Sequence, residues 1–187
     1  MTTYMPVVGI DPSLTATGLA TPTGLHVVTS KLAADDSMRN RRDRLTRAAD
    51  EIEFTVVEAV MPRTALIVIE QPAYSKTNYQ HERSGLWWMI VDRLLDAGHL
   101  ICEVSPSARA KYATGRGRAS KDEVIAAVVR RYPDHDVRDN NTADALILRA
   151  MGCRYLGDPL EDGLPIAHKA ALENVLWPAA LTEGGAA

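Results

Sequence analysis

The chain predicts an α/β domain, and three observations carry that expectation. Near-continuous, β-branched apolar runs occur at Val7-Val8-Gly9-Ile10 and Ala65-Leu66-Ile67-Val68-Ile69, the pattern of strands buried on both faces. Between them, Ser37 to Val60 contains neither Gly nor Pro and spaces Leu45, Ala48, Ala49, Ile52, Val56, Val57 and Val60 along one helical face. Helix, strand, helix and strand then alternate, the order of a parallel crossover sheet.

The elements follow in turn. Val7 to Ile10, Gly18 to Ala20 and Leu25 to Lys31 are short and separated by Pro12-Ser13 and Pro22-Thr23-Gly24, so they predict a β-meander. The long amphipathic helix closes at Met61-Pro62, and the buried strand Ala65 to Ile69 follows at once. Pro72 to Gln80 is aperiodic and reads as a loop; about Glu82 to Ala97 reads as a helix ended by Gly98, and His99 to Val104 as a fifth strand. Thr114-Gly115-Arg116-Gly117-Arg118 reads as a basic loop. Ser120 then opens a helix to about Arg131, with Glu123 at the capping-box position. Two further helices are expected, from about Asn141 to Tyr155 and from about Pro165 to Leu176.

A chain of 187 residues with 46% apolar content fills one core, so residues 1–180 are expected to form one domain and 181–187 a disordered tail. No apolar stretch has membrane length, and the first residues lack signal-peptide character; a soluble protein of the cytoplasm, a host's if the gene is viral, is expected. Cys102 and Cys153 both lie in apolar stretches, as small buried hydrophobes do.

The chemistry starts from the strand ends. Each apolar run finishes on a carboxylate, Asp11 and Glu70, at the edge of the core, where a charge is costly unless something pairs with it. A third acid, Asp144, lies three residues after Asn141, so the two share a helical face. Together Asp11, Glu70, Asn141 and Asp144 offer hard oxygen donors of the kind Mg²⁺ or Mn²⁺ prefers. Two such ions can activate water and stabilise the leaving oxygen of a phosphodiester. Blander roles stay open for each: Asp11 as a turn residue before Pro12, Asp144 as an exposed acid near a helix start.

Net charge is −3, yet the cations are grouped. Arg109, Lys111, Arg116, Arg118 and Lys121 occur without an intervening acid, and local clusters set the field a polyanion feels. With glycines beside them, these five residues read as a loop from Arg109 to Lys121 that contacts phosphates. The Arg39 to Arg47 group reads instead as a solvated helix face. Tyr74 and Tyr79 lie beside Glu70 and suit either base stacking or packing, and Trp87 and Trp88 cannot both face one core.

In order and spacing, Gly9-Ile10-Asp11-Pro12-Ser13 with Thr17-Gly18, Val68-Ile69-Glu70-Gln71, Pro106-Ser107-Ala108-Arg109-Ala110-Lys111, Thr114-Gly115-Arg116-Gly117 with Ser120-Lys121, and Ala143-Asp144-Ala145-Leu146 resemble the RuvC Holliday junction resolvases. The likeness spans Val7 to about Arg154 and looks most like the shorter branch that bacteriophages encode. It implies an RNase H-like fold with a mixed five-stranded sheet flanked by helices, in a homodimer that nicks opposing strands of four-way DNA. On that match Asp11, Glu70 and Asp144 would be the metal-binding catalytic acids. Lys111 and Lys121 fall on the family's two basic positions near the scissile phosphate, with Lys121 assigned to catalysis. Tyr74 lies close to an aromatic that contacts unpaired bases, and the Trp87-Trp88 helix corresponds to the dimer-forming one. One departure stands out. Asn141 occupies the position of the family's fourth acid, which weakens the second metal position; Asp139 is an alternative donor. The expected activity is therefore a Mg²⁺-dependent junction resolvase, against an RNase H-like nuclease on RNA or hybrids, or a silent junction binder.

Overall fold

The computed structural model describes residues 5–31, 35, 37–72 and 79–182. Strands β1 (Val7–Asp11), β2 (Ala16–Thr21) and β3 (Gly24–Thr29) form the antiparallel meander. After helix α1 (Met38–Val60), β4 (Leu66–Glu70) pairs parallel with β1; after α2 (Gln80–Asp96), β5 (Leu100–Val104) pairs parallel with β4. The resulting order β3-β2-β1-β4-β5 is a mixed five-stranded sheet.

Strand alternation divides the core between the two faces of this sheet. Val8, Ile10, Ile67 and Ile69 pack with α1 and α2; Val7, Leu66 and Val68 pack on the other face, beneath α3 (Pro106–Thr114), α4 (Lys121–Arg131) and α5 (Asn140–Tyr155). Both central strands are thus buried on both sides, which explains their unbroken apolar runs. Helix α5 lies unusually close to the sheet. A Cβ at Gly9 would overlap the Ala145 carbonyl, and one at Gly18 would overlap that of Asn141. Those two glycines let the start of α5 reach the ends of β1 and β2.

The caps match the sequence signals. Ser37 accepts from the Asn40 amide at the start of α1, and Ser120 and Glu123 form the complete capping box of α4. Asp139 caps α5 by accepting from the Thr142 amide at 2.8 Å.

Four expectations change. The stretch from Arg109 to Lys121 is not all loop: α3 places Arg109 and Lys111 on a helix, capped by Ser105, with Pro106 at its first turn and Gly115 at φ 80° after its end. The last long helix is broken. Only α6 (Ile166–Lys169) and, beyond Pro178, α7 (Ala179–Thr182) are helical, while Ala171, Val175 and Trp177 hold the intervening segment on the domain. Surface packing there overrides a short helical pattern, and the residue before Pro178 is steered away from helix. Leu181, read as tail, lies in α7 and packs against the core. Finally, Arg44 does not share a solvated face with its neighbours: it is buried, with Nε 2.7 Å from the Ser30 hydroxyl and a bond to the Leu14 carbonyl.

Both cysteines are free and buried. Of the adjacent tryptophans, Trp87 is buried and Trp88 is 64% exposed. Among the described residues no helix is long and apolar enough to cross a membrane.

Candidate active site

Register builds the first half of the site. Ile10 pairs with Ile69 across the parallel β1–β4 ladder, so Asp11 and Glu70, the next residues, leave the sheet side by side at its carboxyl edge. Open sheets with parallel strands bind ligands at that edge. The Trp87 indole donates to the Glu70 carbonyl at 2.9 Å and ties the end of β4 to α2.

Helices supply the rest. The first turns of α5 bring Asn141 and Asp144 over the same edge; α3 brings Arg109 and the start of α4 brings Lys121. All six side chains line one cavity of about 250 Å³, together with Arg83 and Trp87. Lys121 is a cation at a helix N-terminus, where the dipole disfavours it. Its position serves the cavity rather than the helix.

The Arg109 guanidinium bridges two of the acids, donating from Nε to Glu70 and from Nη1 to Asp144. Even so, burial raises all three carboxyls. Asp11 rises to about 8, first through burial and then through repulsion from Glu70 and Asp144, against the pull of Arg109 and Lys121. Asp144 rises to about 6, again chiefly by burial, with Arg109 opposing. Glu70 is raised by burial and lowered in part by Arg109. Three carboxyls and three cations, Arg83, Arg109 and Lys121, line this cavity, and burial outweighs the pull of Arg109 and Lys121 on the acids.

The donor chemistry fits a hard divalent cation: three carboxylates and the amides of Gln71 and Asn141 in a single cavity, with no thiol or imidazole among its lining residues. Among the described residues, no three acid, imidazole or thiol groups stand together as a ready ligand set. Arg109 is what Glu70 and Asp144 hold instead.

No protein-family model and no curated protein matches the sequence. Solved structures do. Thermus thermophilus RuvC superposes with a TM-score of 0.61 at 18% identity, over 82% of this chain and 97% of that one. The fold is the RNase H-like fold of RuvC. Thermus thermophilus RuvC in complex with a Holliday junction substrate gives 0.59 at 19% identity, over 83% and 98% of the two chains. The yeast mitochondrial Holliday junction resolvase Ydc2 gives 0.50 at 11%, over 98% and 87%.

Within this RuvC-like fold the expected residues separate into two groups. Asp11, Glu70, Asn141, Asp144, Lys121 and Arg109 come together. Asp139 does not join them, being spent on the α5 cap. Lys111 lines a separate cavity with Ser105, Gly117 and Asn174, and Arg118 is exposed. Arg116 is exposed and paired with Glu123 at 2.6 Å. Tyr74 lies outside the described residues. Sequence reading missed Arg83, although its spacing of four from Trp87 on one helix was a usable signal.

Proposed function

We propose that this chain is a metal-dependent, structure-selective DNA endonuclease that resolves Holliday junctions, and other branched DNA, by paired nicks. One observation carries the reading. Asp11, Glu70, Asp144 and Asn141 converge with Lys121 and Arg109 at the carboxyl edge of a RuvC-like sheet. A structure of that fold with a Holliday junction substrate supports the choice of DNA. The combination of its motifs supports placing it in the bacteriophage branch.

Asp11, Glu70, Asp144 and Asn141 would hold Mg²⁺, with Mn²⁺ as a substitute. When bound, such ions activate water and stabilise the charge on a phosphodiester undergoing in-line displacement. Asp11 and Glu70 contribute fixed ligands, because their strands are locked by the β1–β4 ladder. Asn141 contributes an oxygen without charge, so one metal position is weaker. Lys121 faces the cavity from the α4 terminus and holds a phosphate oxygen. Arg116, Arg118 and Lys111 lie outside the cavity, where flanking phosphates and junction arms pass, and Tyr74 stacks on an unpaired base. The Trp88 face of α2 pairs two protomers, spacing two sites across one junction.

Arg109 pairing and Asn141 together favour one competing reading, a junction binder that does not cut. Incision of a four-way junction, a flap and an RNA–DNA hybrid, each with Mg²⁺, Mn²⁺ or EDTA, separates the readings. Metal-dependent cutting of the junction in preference to the hybrid supports the proposal; preference for the hybrid contradicts it. Binding of the junction without incision in either metal supports the silent binder.

A further inference from the structure

We propose that Arg109 is a resident cation of the acid site: it holds Glu70 and Asp144 while no divalent ion is bound, and releases them when one enters. This inference rests on the metal-dependent reading above. Its basis is the geometry of one side chain. The guanidinium reaches from α3 between residues of two other elements, with Nε on Glu70 at the end of β4 and Nη1 on Asp144 in α5. All three side chains are only 11–13% exposed.

Two carboxylates so far removed from water need compensation, and a planar fork of donors supplies it to both at once. The same contacts keep the ligand set closed. Among the described residues no three acid, imidazole or thiol side chains stand together, although three acids line the cavity. A metal that takes Glu70 and Asp144 as ligands must therefore displace a cation already bound to them.

Arg109 also lines the cavity that would receive a phosphate, so the released guanidinium has a second anion within reach. The side chain thus has two partners, acids or phosphate, and the metal decides between them. A direct consequence is linkage. Metal and DNA each favour the arrangement in which Arg109 has left the acids, so each tightens binding of the other.

The test is calorimetric titration with Mn²⁺ alone, without DNA, on the wild type, Arg109→Gln and Arg109→Lys. The proposal expects Arg109→Gln to bind Mn²⁺ at least tenfold more tightly than wild type, and Arg109→Lys to stay near wild type because it keeps the competing charge. Equal or weaker Mn²⁺ binding by a folded Arg109→Gln overturns the exchange and leaves the metal reading standing. Absence of Mn²⁺ binding by all three proteins overturns the metal reading, and the exchange with it. Since removing Arg109 can cost the fold, a second measurement uses the wild type. On addition of Mg²⁺, the ¹⁵N signal of the Arg109 Nε–H should move from a slowly exchanging, bonded position to a solvent-exposed one. A signal unmoved at saturating Mg²⁺ overturns the exchange.

Discussion

Asp11 and Glu70 end neighbouring parallel strands whose register pairs Ile10 with Ile69, so two carboxylates meet at the sheet edge by strand geometry alone. Asp144 then arrives from α5, which reaches the edge because Gly9 and Gly18 leave it room.

Removing one acid should abolish cutting and spare binding. Asp11→Asn and Glu70→Gln are expected to lower junction incision by roughly 10²–10³-fold or more, the scale of losing a principal electrostatic group. Gel-shift affinity for the same junction should stay within a few-fold of wild type. Loss of both properties together would point to a folding defect and not to a catalytic role.

Stability should fall as pH rises when metal is chelated. Asp11 and Asp144 have folded values near 8 and 6, above their ordinary value of 3.8. Through these two acids the folded state binds more protons than the unfolded one between about pH 4 and 8, which lowers unfolding free energy as pH rises; His99 and His135, both lowered by burial, oppose this below about pH 6.5 and leave the acids' effect clear above it. Thermal melts in EDTA are expected to show a Tm that falls from pH 6.5 to 8, and Asp11→Asn to recover part of it at pH 8. Mg²⁺ should flatten the trend. A Tm in EDTA that rises from pH 6.5 to 8 contradicts the burial effect on Asp11.

Close approach of α5 to the sheet should make Gly9 intolerant of any side chain. Gly9→Ala forces backbone atoms of Ala145 and Arg149 apart. The expected loss is about 3 kcal/mol or more, in the range of severe overpacking. Urea denaturation reads it directly, and a variant within about 0.5 kcal/mol of wild type would show that α5 sits elsewhere.

Trp88 should carry self-association. The ring is 64% exposed on a helix whose other tryptophan is buried, an apolar surface that a second protomer would cover. Trp88→Glu is expected to shift sedimentation from dimer to monomer and to turn paired nicks into rare single ones. If wild type sediments as a monomer at micromolar concentration on a junction, the two-site geometry fails.

Basic residues outside the cavity should act through salt. Arg116→Ala with Arg118→Ala is expected to weaken junction binding and to reduce the slope of log affinity against log salt by about two, roughly one for each phosphate no longer neutralised. Lys121→Ala should instead reduce the incision rate at saturating enzyme. An unchanged salt slope in the double variant removes these two arginines from the DNA path.

How much of the fold and site is legible in the sequence depends on the kind of signal each feature leaves. Strands β1 and β4 are legible because burial on both faces demands apolar residues at every position, and their closing acids stand out against that run. Asn141 and Asp144 are legible through helical spacing. Helix α3 is obscured because Ser105-Pro106 is both a strand stop and a helix start, and here it is both at once. The partners of Arg109 are not readable, since they depend on how α3 is rotated over the sheet; its positive charge suggests phosphate, while the nearest anions are the protein's own. Arg44 is hidden likewise: one arginine among five on α1 turns inward to Ser30 and Leu14, a choice made by β3 and its neighbouring turn. The segment after Pro165 carries a helical pattern too short to outweigh the packing of Ala171, Val175 and Trp177 on the rest of the domain.

Cutting of branched DNA with a divalent metal, by the cavity of Asp11, Glu70 and Asp144, is the activity expected of this chain. A mobile four-way junction, with each strand labelled separately, tests it when incubated with wild type and Asp11→Asn in Mg²⁺, Mn²⁺ and EDTA. Symmetric nicks in two opposing strands are expected, present with metal, absent in EDTA and absent with Asp11→Asn. Incision that persists in EDTA or in Asp11→Asn at the wild-type rate, or no incision in either metal, would contradict it.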